Sequence, residues 1–205
     1  MASAVFPKFV LALGLAFSVA APVSAQFYSD GYNFLKAIRD RDGEAVTKVL
    51  NEPGTVVVNT RDITTGETAL HIVTARRDVA WVKFLAQKGA NPNIRDKEGN
   101  TPLQIAASLG FIDGVEALLK AGANVDDNNI AGETPLISAV HKRDVGMVRL
   151  LLANNANPDR NDNSGRSARD YVELLSGNGL LLSEFTKADE ERAASDSGVT
   201  YGPSF

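Results

Sequence analysis

Apolar residues between positions 61 and 160 fall into columns separated by a fixed step. Leu70, Leu103 and Leu136 share one column, Val82, Val115 and Val148 a second, Leu85, Leu118 and Leu151 a third, and Ala90, Ala123 and Ala156 a fourth. The step is 33 residues, and polar positions keep it: Gly66, Gly99, Gly132 and Gly165, then Thr68, Thr101, Thr134 and Ser167, then Asn91, Asn124 and Asn157. A fixed period of this length is the mark of a repeat array.

Each unit reads as two short helices and a turn. In Thr101-Pro102-Leu103 and Thr134-Pro135-Leu136 the threonine can accept the orphan amide hydrogens of a helix start, while proline sits where its missing N–H costs nothing. A first helix therefore begins at each Thr and stops near Gly110 in the central unit. A second runs from Ile112 to Lys120 and presents Val115, Leu118 and Leu119 at helical spacing. Gly89, Gly122 and Asn155 suit the left-handed residue that ends the second helix. The polar run Asp96-Lys97-Glu98-Gly99 predicts a tight turn that projects as a finger between one helix pair and the next. No helix pair can bury its apolar stripe alone, so the units must stack.

The segments Gly99-Asn100-Thr101-Pro102-Leu103-Gln104-Ile105-Ala106-Ala107 and Ala117-Leu118-Leu119-Lys120-Ala121-Gly122-Ala123-Asn124 closely resemble an ankyrin repeat. The resemblance implies an all-α solenoid of helix-turn-helix units with β-turn fingers, about five units in all. Full units are expected at residues 61–94, 95–127 and 128–160, with an N-terminal cap at 26–60 and a C-terminal cap at 161–186. Leu180, Leu181 and Phe185 are expected to close the core, ahead of a disordered polar tail at 187–205. The family also implies protein binding rather than catalysis, through a concave face of fingers and first-helix ends. The variable positions there are Thr64, Thr65, Glu67, Ala75 and Arg76; Arg95, Lys97, Glu98, Asn100, Ser108 and Leu109; Ile130, Ala131, Glu133, His141 and Lys142; and Asn163, Ser164 and Arg166. Both charge signs and the apolar Leu109 and Ile130 suit a folded protein partner better than a polyanion or lipid. A monomer is expected.

Composition narrows the chemistry. The 205 residues carry 21 Lys plus Arg against 25 Asp plus Glu, a net charge of −4 that gives no global pull toward nucleic acid. Zero cysteines exclude disulfides, thiolate metal sites and a cysteine nucleophile. No cofactor or metal is expected. Of the two histidines, His71 occupies the place where ankyrin repeats usually carry a His that ties neighbouring turns together. His141 lies on the variable end of a first helix. The recurring aspartates Asp62, Asp96, Asp126, Asp127 and Asp159 follow the fold's period, which turn chemistry explains better than acid–base work. Gly43, Gly54 and Gly66 are too widely spaced for a phosphate cradle. An enzyme accessory or protective factor, or a minor hydrolase, is the competing reading and would need a reactive cluster that the sequence does not offer.

Residues 1–25 read as an address. One charge, Lys8, precedes the apolar run Phe9 to Ala21, and Pro22-Val23-Ser24-Ala25 supplies small residues before a cut after Ala25. The run is shorter than the roughly 20 residues needed to cross a bilayer. A cleaved signal peptide predicts a periplasmic or secreted product without stable membrane insertion.

Overall fold

The computed structural model describes residues 23–197. Ten α-helices and no strands occur among the described residues. They form five hairpins: α1 (Val23–Asp40) with α2 (Gly43–Leu50), α3 (Ala69–Ala75) with α4 (Val79–Gln87), α5 (Pro102–Ser108) with α6 (Ile112–Lys120), α7 (Pro135–His141) with α8 (Val145–Ala153), and α9 (Ala168–Leu174) with α10 (Gly179–Ser197). The first helices α1, α3, α5, α7 and α9 pack side by side as one layer. The second helices α4, α6, α8 and α10 form the other. The fold is an all-helical solenoid.

The helix starts follow the chemistry of their sequences. Thr101, Thr134 and Ser167 accept from the backbone N–H of Gln104 (3.3 Å), Ile137 (3.2 Å) and Asp170 (3.2 Å). All three caps are buried, so losing one would cost about 1 kcal/mol and leave a donor unpaired. The second helices are capped by aspartate: Asp42 accepts from Ala45, Asp78 from Trp81 and Asp144 from Met147. In α6, by contrast, Phe111 stands at the cap and makes no side-chain bond, and α10 follows Asn178 rather than an aspartate. A Cβ on Gly114 would lie 2.2 Å from the Phe111 ring, so this glycine lets Phe111 fold inward to 8% exposure.

The periodic columns become the core. Leu70, Val82, Leu85, Leu103, Val115, Leu118, Leu136, Val148 and Leu151 are all at most 1% exposed. Truncating such a leucine to alanine typically costs 2–5 kcal/mol, roughly a third of the stability of an ordinary domain. Gly89, Gly122 and Asn155 do take positive φ.

The C-terminal unit departs from the expectation in two ways. Leu181 and Phe185 are buried with Ala188, but Leu180 is 72% exposed because the inward stripe of α10 starts one residue later. Of the stretch expected as a disordered tail, Lys187–Ser197 is helical, and 198–205 lies outside the described residues. Arg169, which replaces leucine in a core column, supplies the reason: it bonds Asp159 (2.8 Å) and Asp189 (3.0 Å), and lies 5.7 Å from the centre of the Phe185 ring. Arg192 adds a bond to the Ala156 carbonyl at 2.6 Å. The expected signal peptide lies outside the described residues apart from Val23–Ala25, which form the first turn of α1.

Candidate binding face

The fingers are built from aspartate, asparagine and glycine. Asp96, Asn129 and Asp162 each accept from backbone N–H groups two and four residues ahead, closing tight turns. Gly66, Gly99, Gly132 and Gly165 complete the turns at φ near 80°. In three of them the missing side chain has a second use. A Cβ would lie 2.9 Å from the backbone nitrogen of Lys97 at Gly66, 2.8 Å from that of Ile130 at Gly99, and 2.6 Å from that of Asn163 at Gly132. Gly165 meets nothing, because no finger follows it. The period in glycine thus records one finger lying against the next.

That contact is hydrogen-bonded. Lys97 N–H donates to the Thr65 carbonyl (2.9 Å), Ile130 N–H to Glu98 (3.2 Å) and Asn163 N–H to Ala131 (3.0 Å), so the four fingers form one ladder. Side chains brace it. Arg61 donates to the Arg95 carbonyl at 2.7 Å, and Asn163 Nδ2 to that of Ile130 at 2.9 Å. A second ladder runs beneath the second helices, where Asn59, Asn93 and Asp126 accept from the backbone N–H of Asn91, Asn124 and Asn157, each at 2.8 Å.

His71 joins a helix start to the next finger. Its Nδ1 accepts from the Thr68 backbone N–H at 3.0 Å, which places the ring proton on Nε2, 3.1 Å from the Asn100 carbonyl. Burial pushes its pKa below the ordinary 6.5, because a charged ring there would lose its water and break the bond to Thr68. Gln104, in the same column, is also buried, but its Oε1 has no partner.

The sequence-derived positions divide into two groups. Thr64, Thr65, Glu98, Ile130, Ala131, His141, Lys142, Asn163, Ser164 and Arg166 are exposed along the ladder and first-helix ends, with Glu67, Asn100, Ser108 and Glu133 half-buried beside them. Arg76 and Arg95 are not free rungs. Arg76 folds back on the first hairpin, donating to the Ile38 carbonyl at 2.6 Å and pairing with Asp78 at 3.3 Å. Arg95 pairs with Asp127 at 2.9 Å and donates to the Asn128 carbonyl. Both guanidiniums are long enough to reach carbonyls and carboxylates of adjoining segments, which engages them within the fold, although the Arg95 side chain stays 39% exposed. Leu109 is partly buried against the core, and Lys97 Nζ is bonded to the Ile63 carbonyl at 2.7 Å.

Two exposed apolar residues were not among the expected positions. Ile63 is 80% exposed and Leu174 is 68% exposed. Leu174 shares the column of Ala75, Ser108 and His141. Ile63 is an extra residue in the first finger: Asp62 precedes Gly66 by four positions, whereas Asp96, Asn129 and Asp162 precede their glycines by three. Hydrogen bonds from the Thr65 and Thr64 backbone, and then Arg39, hold the Asp62 carboxyl below its usual range.

The matches to known families cover this architecture. Residues 34–129 match the family described as ankyrin repeats (3 copies), and residues 118–172 the one described as ankyrin repeats (many copies). The chain belongs to the ankyrin repeat family. As an ankyrin repeat protein it carries a protein–protein interaction module, in a family that is generally non-enzymatic. Among the described residues no three His, Cys, Asp or Glu side chains gather as a metal site, and no helix is long and apolar enough to cross a membrane.

Proposed function

We propose that this ankyrin protein is exported across an inner membrane, loses residues 1–25, and acts without catalysis by holding a folded protein partner on its concave face. The observation that carries the reading is the backbone ladder joining the fingers. It fixes the rungs before a partner arrives, so little conformational entropy remains to be lost on binding. Exposed Ile63 and Ile130 stand on that ladder as apolar anchors among polar side chains, the composition expected of a binding patch with a polar rim.

Export and binding are tested separately. N-terminal sequencing of the protein from the cell envelope should start at Gln26; a start at Met1 removes export. A photocrosslinking amino acid at Ile130 should capture one discrete partner from envelope extract, while the same group at Lys83 on α4 should not. Equal capture at both positions refutes the concave face.

A further inference from the structure

We propose that the C-terminal half of the concave face is a subsite for an acidic protein segment carrying an apolar anchor. This rests on the concave face being the binding surface, and it assigns the chemistry of the partner.

The centre of the subsite is an aromatic pair. The rings of His141, at the end of α7, and Tyr171, on α9, meet edge to face with centroids 4.4 Å apart. His141 Nδ1 lies 3.1 Å from Glu133 Oε1, and the Tyr171 hydroxyl donates to Asp162 Oδ2 at 2.7 Å. With Nδ1 and the hydroxyl engaged, the pair offers ring carbon and the outer Nε2 edge of His141. Leu174, one turn beyond Tyr171, and Ile130, on the third finger, are the exposed apolar residues of the same half.

The charges beside the pair are unequal in availability. Each nearby carboxylate already has partners. Glu133 is taken by His141. Asp162 accepts from Tyr171, from the Ser164 hydroxyl and from backbone amides. Partial desolvation pushes Asp162 up, but these bonds outweigh it and hold its carboxyl far below the usual range. Asp170, whose charge Arg166 also favours, accepts from the Ser167 amide and hydroxyl. Glu173 shares a column with Thr74, Ala107 and Val140, which faces the following unit, so it points past the last unit rather than into the concavity.

The cations differ. Lys142 follows His141, and Arg166 closes the finger whose Asp162 holds Tyr171. Both are exposed, and neither forms an ion pair among the described residues. In the N-terminal half, by contrast, Arg39, Arg76 and Arg95 are paired with Asp62, Asp78 and Asp127, and the exposed Arg77 and Lys97 donate to the Leu109 and Ile63 carbonyls. Two available cations bordering an apolar ledge complement carboxylates placed around an apolar side chain. A nucleic acid would need an unbroken basic track, which Glu98, Glu133 and Asp162 interrupt.

The test is fluorescence anisotropy on the full mature chain, using a labelled peptide of alternating Glu and Leu. Reversing both cations, Lys142→Glu with Arg166→Glu, should weaken binding about tenfold and leave thermal unfolding unchanged. The milder pair Lys142→Gln with Arg166→Gln should give a smaller loss of the same sign. Lys48→Glu with Lys83→Glu, on the second-helix layer, should have no effect. Equal binding of a Gln-Leu peptide, an oligothymidylate or an anionic vesicle, or equal loss in the Lys48 and Lys83 variant, overturns the proposal. The crosslinker at Ile130 separates the two readings. If it still captures a partner that the Lys142 and Arg166 reversals do not weaken, the concave face stands and the acidic segment falls. If it captures nothing specific, both fall.

Discussion

Arg169 grips Asp189 with two nitrogens, Nη1 at 3.0 Å and Nη2 at 3.1 Å. The bond ties the last first-helix to the far half of α10, which runs for 19 residues where its counterparts α4, α6 and α8 each end after nine. Its position over the Phe185 ring makes a core column that ends in arginine a seal rather than a defect.

Asp189→Ala should therefore act locally. Both partners are partly exposed, so the global loss should be about 1 kcal/mol or less. The larger effect should be faster hydrogen exchange from Asp189 to Ser197, with the exchange of α3 through α8 unchanged. Uniform acceleration across the chain would contradict this.

His71 gives the stack a pH dependence with a definite sign. Its folded pKa lies below 6.5, so the unfolded chain takes up the proton first and stability falls as pH drops through 6.5. The loss approaches 1.4 kcal/mol per pH unit until the folded ring titrates. Asp62, Asp162, Asp170 and Glu184 also have lowered values, but their contribution is lost only as pH falls below about 4.5 and 3.8, the ordinary values of glutamate and aspartate. Urea midpoints between pH 7.5 and 5 should fall for the natural protein, whereas His71→Gln should start lower and vary less. Parallel curves would assign the slope to another group.

Gln104→His should stabilise the protein by about 1 kcal/mol, read as a higher thermal midpoint. The imidazole would copy the His71 arrangement, with Nδ1 accepting from Thr101 and Nε2 donating to the Glu133 carbonyl. It would also remove the unpartnered buried Oε1. A lowered midpoint would mean that the pocket cannot take the ring.

Ile130→Asp and Ile63→Asp should each abolish or strongly weaken partner capture while changing thermal stability by less than about 0.5 kcal/mol. Both side chains are largely exposed, so folding does not depend on them. Loss of capture with concurrent unfolding would remove the inference.

Much of the architecture was legible because it is periodic or local. The leucine columns, the Thr and Ser caps, the left-handed Asn155 and the finger glycines depend on residues within one unit or one step away. The role of His71 was legible from the family pattern. The partners of Arg76 and Arg95 are not legible, because sequence places a residue on a rung without saying where a long guanidinium folds. The extension of α10 is not legible because its partners, Arg169 and the Ala156 carbonyl, lie 20 and 36 residues upstream. Ile63 did leave a signal. The finger glycines are spaced by 33, but Asp62 and Asp96 are separated by 34, which marks the inserted position.

That single insertion shows how the molecule separates reach from support. The first loop absorbs an additional amino acid without disturbing the buried leucines on either side, since the Ile63 side chain hangs in water while the backbone around it stays bonded to Lys97 of the next loop. Loop length is therefore a variable that can be tuned one position at a time, and lengthening the second or third tip in the same way should reshape the recognition relief while the helical scaffold beneath keeps its spacing.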